Sequence, residues 1–302
     1  MAQLQGASWI NEKSMKVLFV LVKFTFVKSP HKANFGTMRL SSFCLLTLFL
    51  FISPFVTNAQ SMDELLSSYV PTTLKNPEGG KFNYRYSTPD KMEKGTKYPL
   101  LVFFHGAGGR GNDNKGQLLD AGGIVAFAKA GLRTKRASHV LAGQVPKGER
   151  WVDVHWSLLG HRMPKEPSDP MKMAFEALDA YVADIKNQVD PNRIYVMGLS
   201  MGGYGTWDAI QRRPNFFAAA VPICGGGDKQ LGKKIARLPI WAWHGDKDSV
   251  IKPSRSRDMI EAIKKAGGNP KYSEIKGRGH NSWTDAWNSK EMWEWLYSQK
   301  RR

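Results

Sequence analysis

The 302-residue sequence predicts an α/β fold, a mostly parallel central sheet with helices on both faces. Three observations predict it. Apolar runs of strand length alternate with segments of helical period, as strand–helix–strand units do. The run Tyr98 to Phe104 is apolar throughout, the pattern of a parallel strand buried on both faces. Three of the runs end in glycines, at His105-Gly106, Gly225-Gly226-Gly227 and His244-Gly245. Hydrophobic residues make up 42% and charged residues 23%, which excludes collagen-like and low-complexity chains. The only cysteines are Cys44 and Cys224, so a disulfide-stapled scaffold and a cysteine zinc cage are excluded as well.

The elements follow in order. Phe82, Tyr84 and Tyr86 alternate with polar residues and predict a half-buried strand. After Tyr98 to Phe104, residues 121–131 read as a helix and His139 to Val145 as a short strand. The clearest helix is 170–188, where Met171, Phe175, Leu178, Val182 and Ile185 lie three or four apart on one face. Pro170 suits its first turn, and Asp190-Pro191 ends it. Arg193 to Met197 predicts a strand, 201–212 a helix, and Phe217 to Ile223 and Leu238 to Trp243 two further strands. Met259, Ile260 and Ile263 give 254–266 an apolar face, and Gly267-Gly268 stops that helix. Tyr272 to Ile275 is the last strand and 290–298 the last helix.

The N-terminus reads differently. Residues 38–59 have a short basic start, an apolar run from Leu40 to Val56 and the small-residue end Thr57-Asn58-Ala59. This is the form of a secretory signal peptide, cleaved after Ala59 to leave Gln60 first, and it predicts an exported protein. An uncleaved anchor is the alternative, but Pro54 and Asn58 disfavour a continued helix. Residues 1–37 precede the signal awkwardly and read as a mis-called extension, with Met38 the true start. A segment 60–74 then leads into one catalytic domain over 75–300, since no repeat or Pro/Ser linker divides the chain. The whole sequence carries +18, and 60–302 carries +13. That excess is dispersed, with no basic run interleaved with aromatics, so no nucleic-acid partner is expected.

The chemistry centres on Arg193 to Gly205. A strand runs into Gly198-Leu199-Ser200-Met201-Gly202 and then into a helix. This Gly-x-Ser-x-Gly elbow is the signature of the α/β-hydrolase fold. The turn is too sharp for side chains at Gly198 and Gly202, and it lifts the Ser200 hydroxyl above the sheet edge. A serine needs a base, and in this fold the chain order is Ser, acid, His. Of the two later histidines, His280 lies in the loop after the last strand, where the base belongs, whereas His244 ends a strand. Asp248 and Asp246 compete as the acid. The pattern His-Gly-x-x-Asp-x-x-Val favours Asp248, with Asp246 shaping the turn. The oxyanion donors expected are the N–H groups of Ala107, in a glycine-rich loop, and Met201.

His105-Gly-Ala-Gly-Gly-Arg-Gly-Asn-Asp-Asn114, Gly198-Leu-Ser-Met-Gly-Gly-Tyr-Gly-Thr-Trp-Asp208 and His244-Gly-Asp-Lys-Asp248 resemble one known family. It is the secreted α/β-hydrolases described as predicted peptidases or phospholipase/carboxylesterase proteins, similar to feruloyl esterases and polyhydroxybutyrate depolymerases. The likeness spans roughly 80–298 and implies a serine esterase with the triad Ser200, Asp248 and His280. Gly109 departs from it, since relatives often carry Glu there.

Cys224 reads as a packed thiol. His155, His161 and Asp153 lack a convincing third spacing for a metal, so neither metal nor cofactor is expected. Trp151, Trp156, Trp283 and Trp287 are candidates to line a cleft, and Trp283 is the preferred substrate-binding residue. The expected substrate is a small-molecule or polysaccharide-linked ester, short-chain acyl or hydroxycinnamoyl, with no stable membrane span after signal cleavage. A prolyl oligopeptidase-like peptidase and a non-catalytic carbohydrate-binding homologue are the alternatives. After cleavage at Ala59 only about 20 residues would precede the first expected core strand, too few for a propeller-like module, which favours esters over peptides.

Overall fold

The computed structural model describes residues 60–75 and 79–301. The signal-peptide expectation for 38–59, the extension 1–37 and Cys44 lie outside the described residues. Among the described residues no helix is long and apolar enough to cross a membrane.

The strands are β1 (Val70–Lys75), β2 (Lys81–Ser87), β3 (Tyr98–Phe104), β4 (His139–Gln144), β5 (Val189–Leu199), β6 (Ala219–Ile223), β7 (Trp241–Gly245) and β8 (Lys271–Ile275). They form one sheet in the order β1-β2-β4-β3-β5-β6-β7-β8. β1–β2 and β2–β4 are antiparallel, and the remaining pairs are parallel. The helices are α1 (Met62–Ser67), α2 (Gly116–Leu119), α3 (Gly123–Lys129), α4 (Asp169–Ala183), α5 (Met201–Arg212), α6 (Ser254–Lys265), α7 (Trp283–Asn288) and α8 (Lys290–Ser298).

Alternation along β3 explains the layers. Leu100, Val102 and Phe104 join one apolar cluster with residues of α4, α5 and α6. Leu101 and Phe103 point the other way, into a cluster with α1, α3 and α8. Every residue of β3 is buried. At about 1.5–3 kcal/mol for each large apolar side chain removed from water, this strand is the chief anchor of both layers. The chain order reverses at β3, which has β4 on one side and β5 on the other. In open parallel sheets the crevice at such a reversal, above the carboxyl ends, is where ligands bind.

Two expectations change. The helix predicted over 170–188 stops at Ala183, and Ile185 sits on a separate 3-10 turn with 89% of its surface exposed. Asp184 takes extended backbone, and its carboxylate accepts from the Lys186 N–H, which diverts the chain before Ile185 can join the apolar face. On β2, Phe82 is buried as expected, but Arg85 and Ser87 on the opposite face are buried too. Arg85 Nη1 donates to the carbonyls of Leu66 (3.1 Å) and Tyr69 (2.7 Å), at and just beyond the end of α1. The sequence reading placed no element at α1 or β1. Both take part in the packing, since β1 pairs with β2, and Leu65, Leu66 and Tyr69 enter the core.

Candidate active site

The elbow is built by close approach. Ser200 links β5 to α5 with φ +55° and ψ −117°. Such a backbone costs on the order of 1–3 kcal/mol for a non-glycine residue and persists only where its surroundings enforce it. Here the Ser200 N–H donates to Ile223 O (2.9 Å) on the neighbouring strand, and its carbonyl accepts from Tyr204 N–H (3.1 Å). A Cβ on Gly202 would lie 1.9 Å from Phe104 O, and one on Gly198 would lie 2.4 Å from Gly202 O. Both glycines are therefore demanded by backbone contact, as the motif implied.

His280 approaches from the loop after β8. Its Nε2 lies 2.9 Å from Ser200 Oγ, and its Nδ1 lies 2.7 Å from Asp248 Oδ2. Asp248 follows β7 and its side chain is fully buried. Its Oδ1 accepts from the N–H groups of Val250 and Ile251, each at 2.9 Å. Burial raises the Asp248 pKa, but hydrogen bonds from His244, His280 and the Ile251 N–H outweigh it and hold the carboxyl well below the usual range. Asp246 stands apart from this relay. It accepts from Gly277 N–H (2.7 Å) and so ties the β7 loop to the segment leading to His280. His244 is buried, with Nε2 2.9 Å from Ile251 O and Nδ1 2.8 Å from Ser256 Oγ, and braces the acid loop from beneath.

The loop after β3 carries Ala107 at the head of a 3-10 turn, Ala107–Gly109. His105 anchors it. Its Nε2 accepts from Val145 N–H (3.0 Å), so the ring proton sits on Nδ1 and donates to Gly106 O (2.5 Å). Burial lowers the His105 pKa to about 4 and keeps this tautomer neutral. Met201 opens α5, where first-turn N–H groups have no partner within the helix.

Ser200, His280 and the Ala107 loop border one cleft of about 270 Å³, and Trp156, Leu199, Val250 and Trp283 help to line it. Trp283 meets the His280 ring edge-on, with centroids 5.4 Å apart. Of the four tryptophans considered, Trp156 and Trp283 reach the cleft, while Trp151 is fully buried and Trp287 packs against the core. The metal trio does not converge: His155 Nδ1 is taken by Ser157 Oγ (2.6 Å) and His161 Nδ1 by Arg255. Cys224 Sγ, Asp248 and His280 do present atoms within 4.8 Å of one another. Asp248 and His280, however, are already engaged with each other and with Ser200.

Sequence reasoning missed three residues that shape the cleft. His105 gave a signal, since it ends a buried strand directly before the glycine loop. Arg255 reads as polar helix surface but is 2% exposed. It donates to Leu159 O (3.1 Å), and with its ring contact to Tyr204 it clamps the segment carrying Trp156 against the elbow helix. Tyr204 in turn donates to Trp156 O (3.2 Å). Asp120, between α2 and α3, lines the cleft without any motif to announce it.

Comparison with known proteins fits this architecture. A solved thermostable esterase superposes with a TM-score of 0.72 at 35% identity, over 78% of this chain and 64% of that one. Poly(3-hydroxyalkanoate) depolymerase C of Paucimonas lemoignei is 27% identical over 32% of this chain and 31% of its own. A probable carboxylesterase of Oryza sativa subsp. japonica is 23% identical over 47% of this chain and 56% of its own. The chain thus spans less than two thirds of each of these relatives. The profile of the dienelactone hydrolase family matches residues 88–283, a span that runs from before β3 through the elbow, Asp248 and His280 to Trp283. With that match covering more than half of its length, the chain belongs to the dienelactone hydrolase family.

Proposed function

We propose that this protein is a serine hydrolase that cleaves carboxylic esters through an acyl-enzyme. One observation carries the reading: a hydroxyl, an imidazole and a buried carboxylate stand in continuous hydrogen-bond contact beside an open cleft. Ser200 Oγ attacks the ester carbonyl while His280 Nε2 takes its proton. Asp248 holds the imidazole in the tautomer with the proton on Nδ1 and stabilises the imidazolium that forms. The N–H groups of Ala107 and Met201 face the developing oxyanion. His280 then returns the proton to the leaving alcohol, and water attacks the acyl-enzyme by the same steps in reverse.

A cleft of about 270 Å³ with two aromatic walls suits short-chain acyl or hydroxycinnamoyl groups, including those carried on polysaccharide. The esterase and depolymerase relatives support ester over peptide chemistry. Export with cleavage after Ala59 and a catalytic domain over 75–300 belong to the same reading. N-terminal sequencing of secreted protein checks the cleavage. The central test is Ser200→Ala with p-nitrophenyl acetate and a fluorophosphonate probe. Turnover should drop about 10⁶-fold and labelling should vanish, as loss of a nucleophile demands. Labelling that persists in Ser200→Ala would falsify the assignment.

A further inference from the structure

We propose that Asp120 determines which esters the cleft accepts, selecting acyl chains that carry a hydrogen-bond donor or a cation and rejecting those that carry a carboxylate. The inference rests on the serine-esterase reading of the same cleft and names its substrate class.

Among the described residues, Asp120 is the only acid that lines the cleft, in company with Ser200, Ala107, His280 and Trp283. Its carboxylate packs against the two glycines that flank Ala107. A Cβ on Gly106 would come within 2.8 Å of Oδ2, and one on Gly108 within 2.6 Å of Oδ1. Glycine at both positions is what lets an acid stand this close to the loop. Whatever touches Asp120 in the cleft therefore lies within a few bonds of the carbonyl carbon, on the acyl side in this reading.

The carboxylate is also only partly compensated. Oδ2 is shut off from solvent and has no hydrogen-bond partner. No ion pair among the described residues includes Asp120. Burial raises its pKa, and the main-chain N–H groups of Gly106, Gly109 and Ala121 oppose that only in part. The other carboxylates near the site are all engaged: Asp248 by His280, and Asp285 by Arg278. An acid met only by main-chain N–H groups, with no cation from its own chain, interacts favourably with a donor brought by the substrate. A second carboxylate would be repelled. Two like charges about 6 Å apart at an effective dielectric near 20 correspond to a discrimination of about 100-fold. A hydroxyl that bonds an ionised oxygen should gain about tenfold.

The experiment compares kcat/KM for three p-nitrophenyl esters, butyrate, 3-hydroxybutyrate and hemisuccinate, at pH 8. Wild type should prefer 3-hydroxybutyrate to butyrate by about tenfold and disfavour hemisuccinate by about 100-fold. Asp120→Asn keeps the shape and removes the charge, so its hemisuccinate-to-butyrate ratio should rise at least about tenfold. Asp120→Leu should also lose the hydroxybutyrate preference. Each ratio is taken within one variant, so differences in folded fraction cancel, and the Asn charge series decides the matter if the Leu variant does not fold. Ratios that stay the same in wild type and Asp120→Asn overturn the role of Asp120 while leaving the esterase reading intact. Failure of wild type to hydrolyse any of the three overturns that reading, and the inference with it.

Discussion

Replacing Asp248 by asparagine probes the relay at its most buried point. The Asp248 side chain meets four groups: the Val250 and Ile251 N–H groups on Oδ1, and His280 Nδ1 and His244 Nε2 on Oδ2. Asparagine can keep the first two through its carbonyl oxygen. Its NH₂ then faces His280 Nδ1 and can only donate, so that nitrogen must accept. The ring proton moves to Nε2, where it blocks transfer from Ser200. A wrong tautomer of this kind costs about 10⁴ in kcat, equivalent to about 5.4 kcal/mol. Asp246→Asn is the matched control. It touches Gly277 N–H at a partly solvated site, worth no more than about 1 kcal/mol or roughly fivefold in rate. The assay is steady-state hydrolysis of p-nitrophenyl acetate by both variants, with thermal unfolding to show that each is folded. An Asp246→Asn enzyme slower than Asp248→Asn would move the acid to Asp246 and refute the reasoning.

Acid sensitivity should come from buried imidazoles. Burial lowers the pKa of His105 and of His139 to about 4. Between the ordinary value near 6.5 and 4 the unfolded chain binds more protons than the folded one, so stability is complete above about pH 6.5 and declines as pH falls to 4. Each of the two contributes on the order of 3 kcal/mol to that decline, and urea unfolding at pH 7, 5.5 and 4 measures it; a flat profile would contradict the neutral tautomer assigned to His105. Gly202→Ala, which sets a methyl 1.9 Å from Phe104 O, should destabilise the fold by more than about 3 kcal/mol or prevent folding, whereas Gly205→Ala, which meets the Trp151 side chain at 2.9 Å, should be milder. Arg255→Met should release the Trp156 segment and raise KM for hydroxycinnamoyl esters about tenfold while changing kcat for acetate far less, since Arg255 touches neither Ser200 nor His280. Equal loss in both parameters would place Arg255 in the chemical step instead.

The elements most legible in the sequence are those set by local rules. The strand Tyr98 to Phe104 and the helix 201–212 stand where the sequence put them, the first because burial on both faces leaves a continuous apolar run and the second because it follows the glycine elbow. The elbow was equally readable, since only glycine tolerates carbonyl oxygens at 1.9 and 2.4 Å from the position of a Cβ. Chain order left His244 and His280, and the position of His280 in the loop after the last strand separated them. The helix over 170–188 failed at its end for a reason that hydrophobic period does not carry, a side chain that captures the Lys186 N–H and turns the backbone away.

Tertiary structure decided what depends on distant pairs. Asp246 and Asp248 stand two residues apart and share one residue type, and only the folding of the β7 loop over Ile251 puts Asp248 against His280 while Asp246 reaches Gly277. Four tryptophans look alike in sequence, yet the sheet buries Trp151 behind Phe104 and leaves Trp156 and Trp283 at the cleft. Asp120 and Arg255 carry no motif, because one matters through two glycines that precede it by 14 and 12 residues and the other through a carbonyl 96 residues away. Local sequence determines backbone conformation through sterics and solvent exposure within a few residues. Charge compensation and cleft lining are sums over neighbours that only the closed fold brings together.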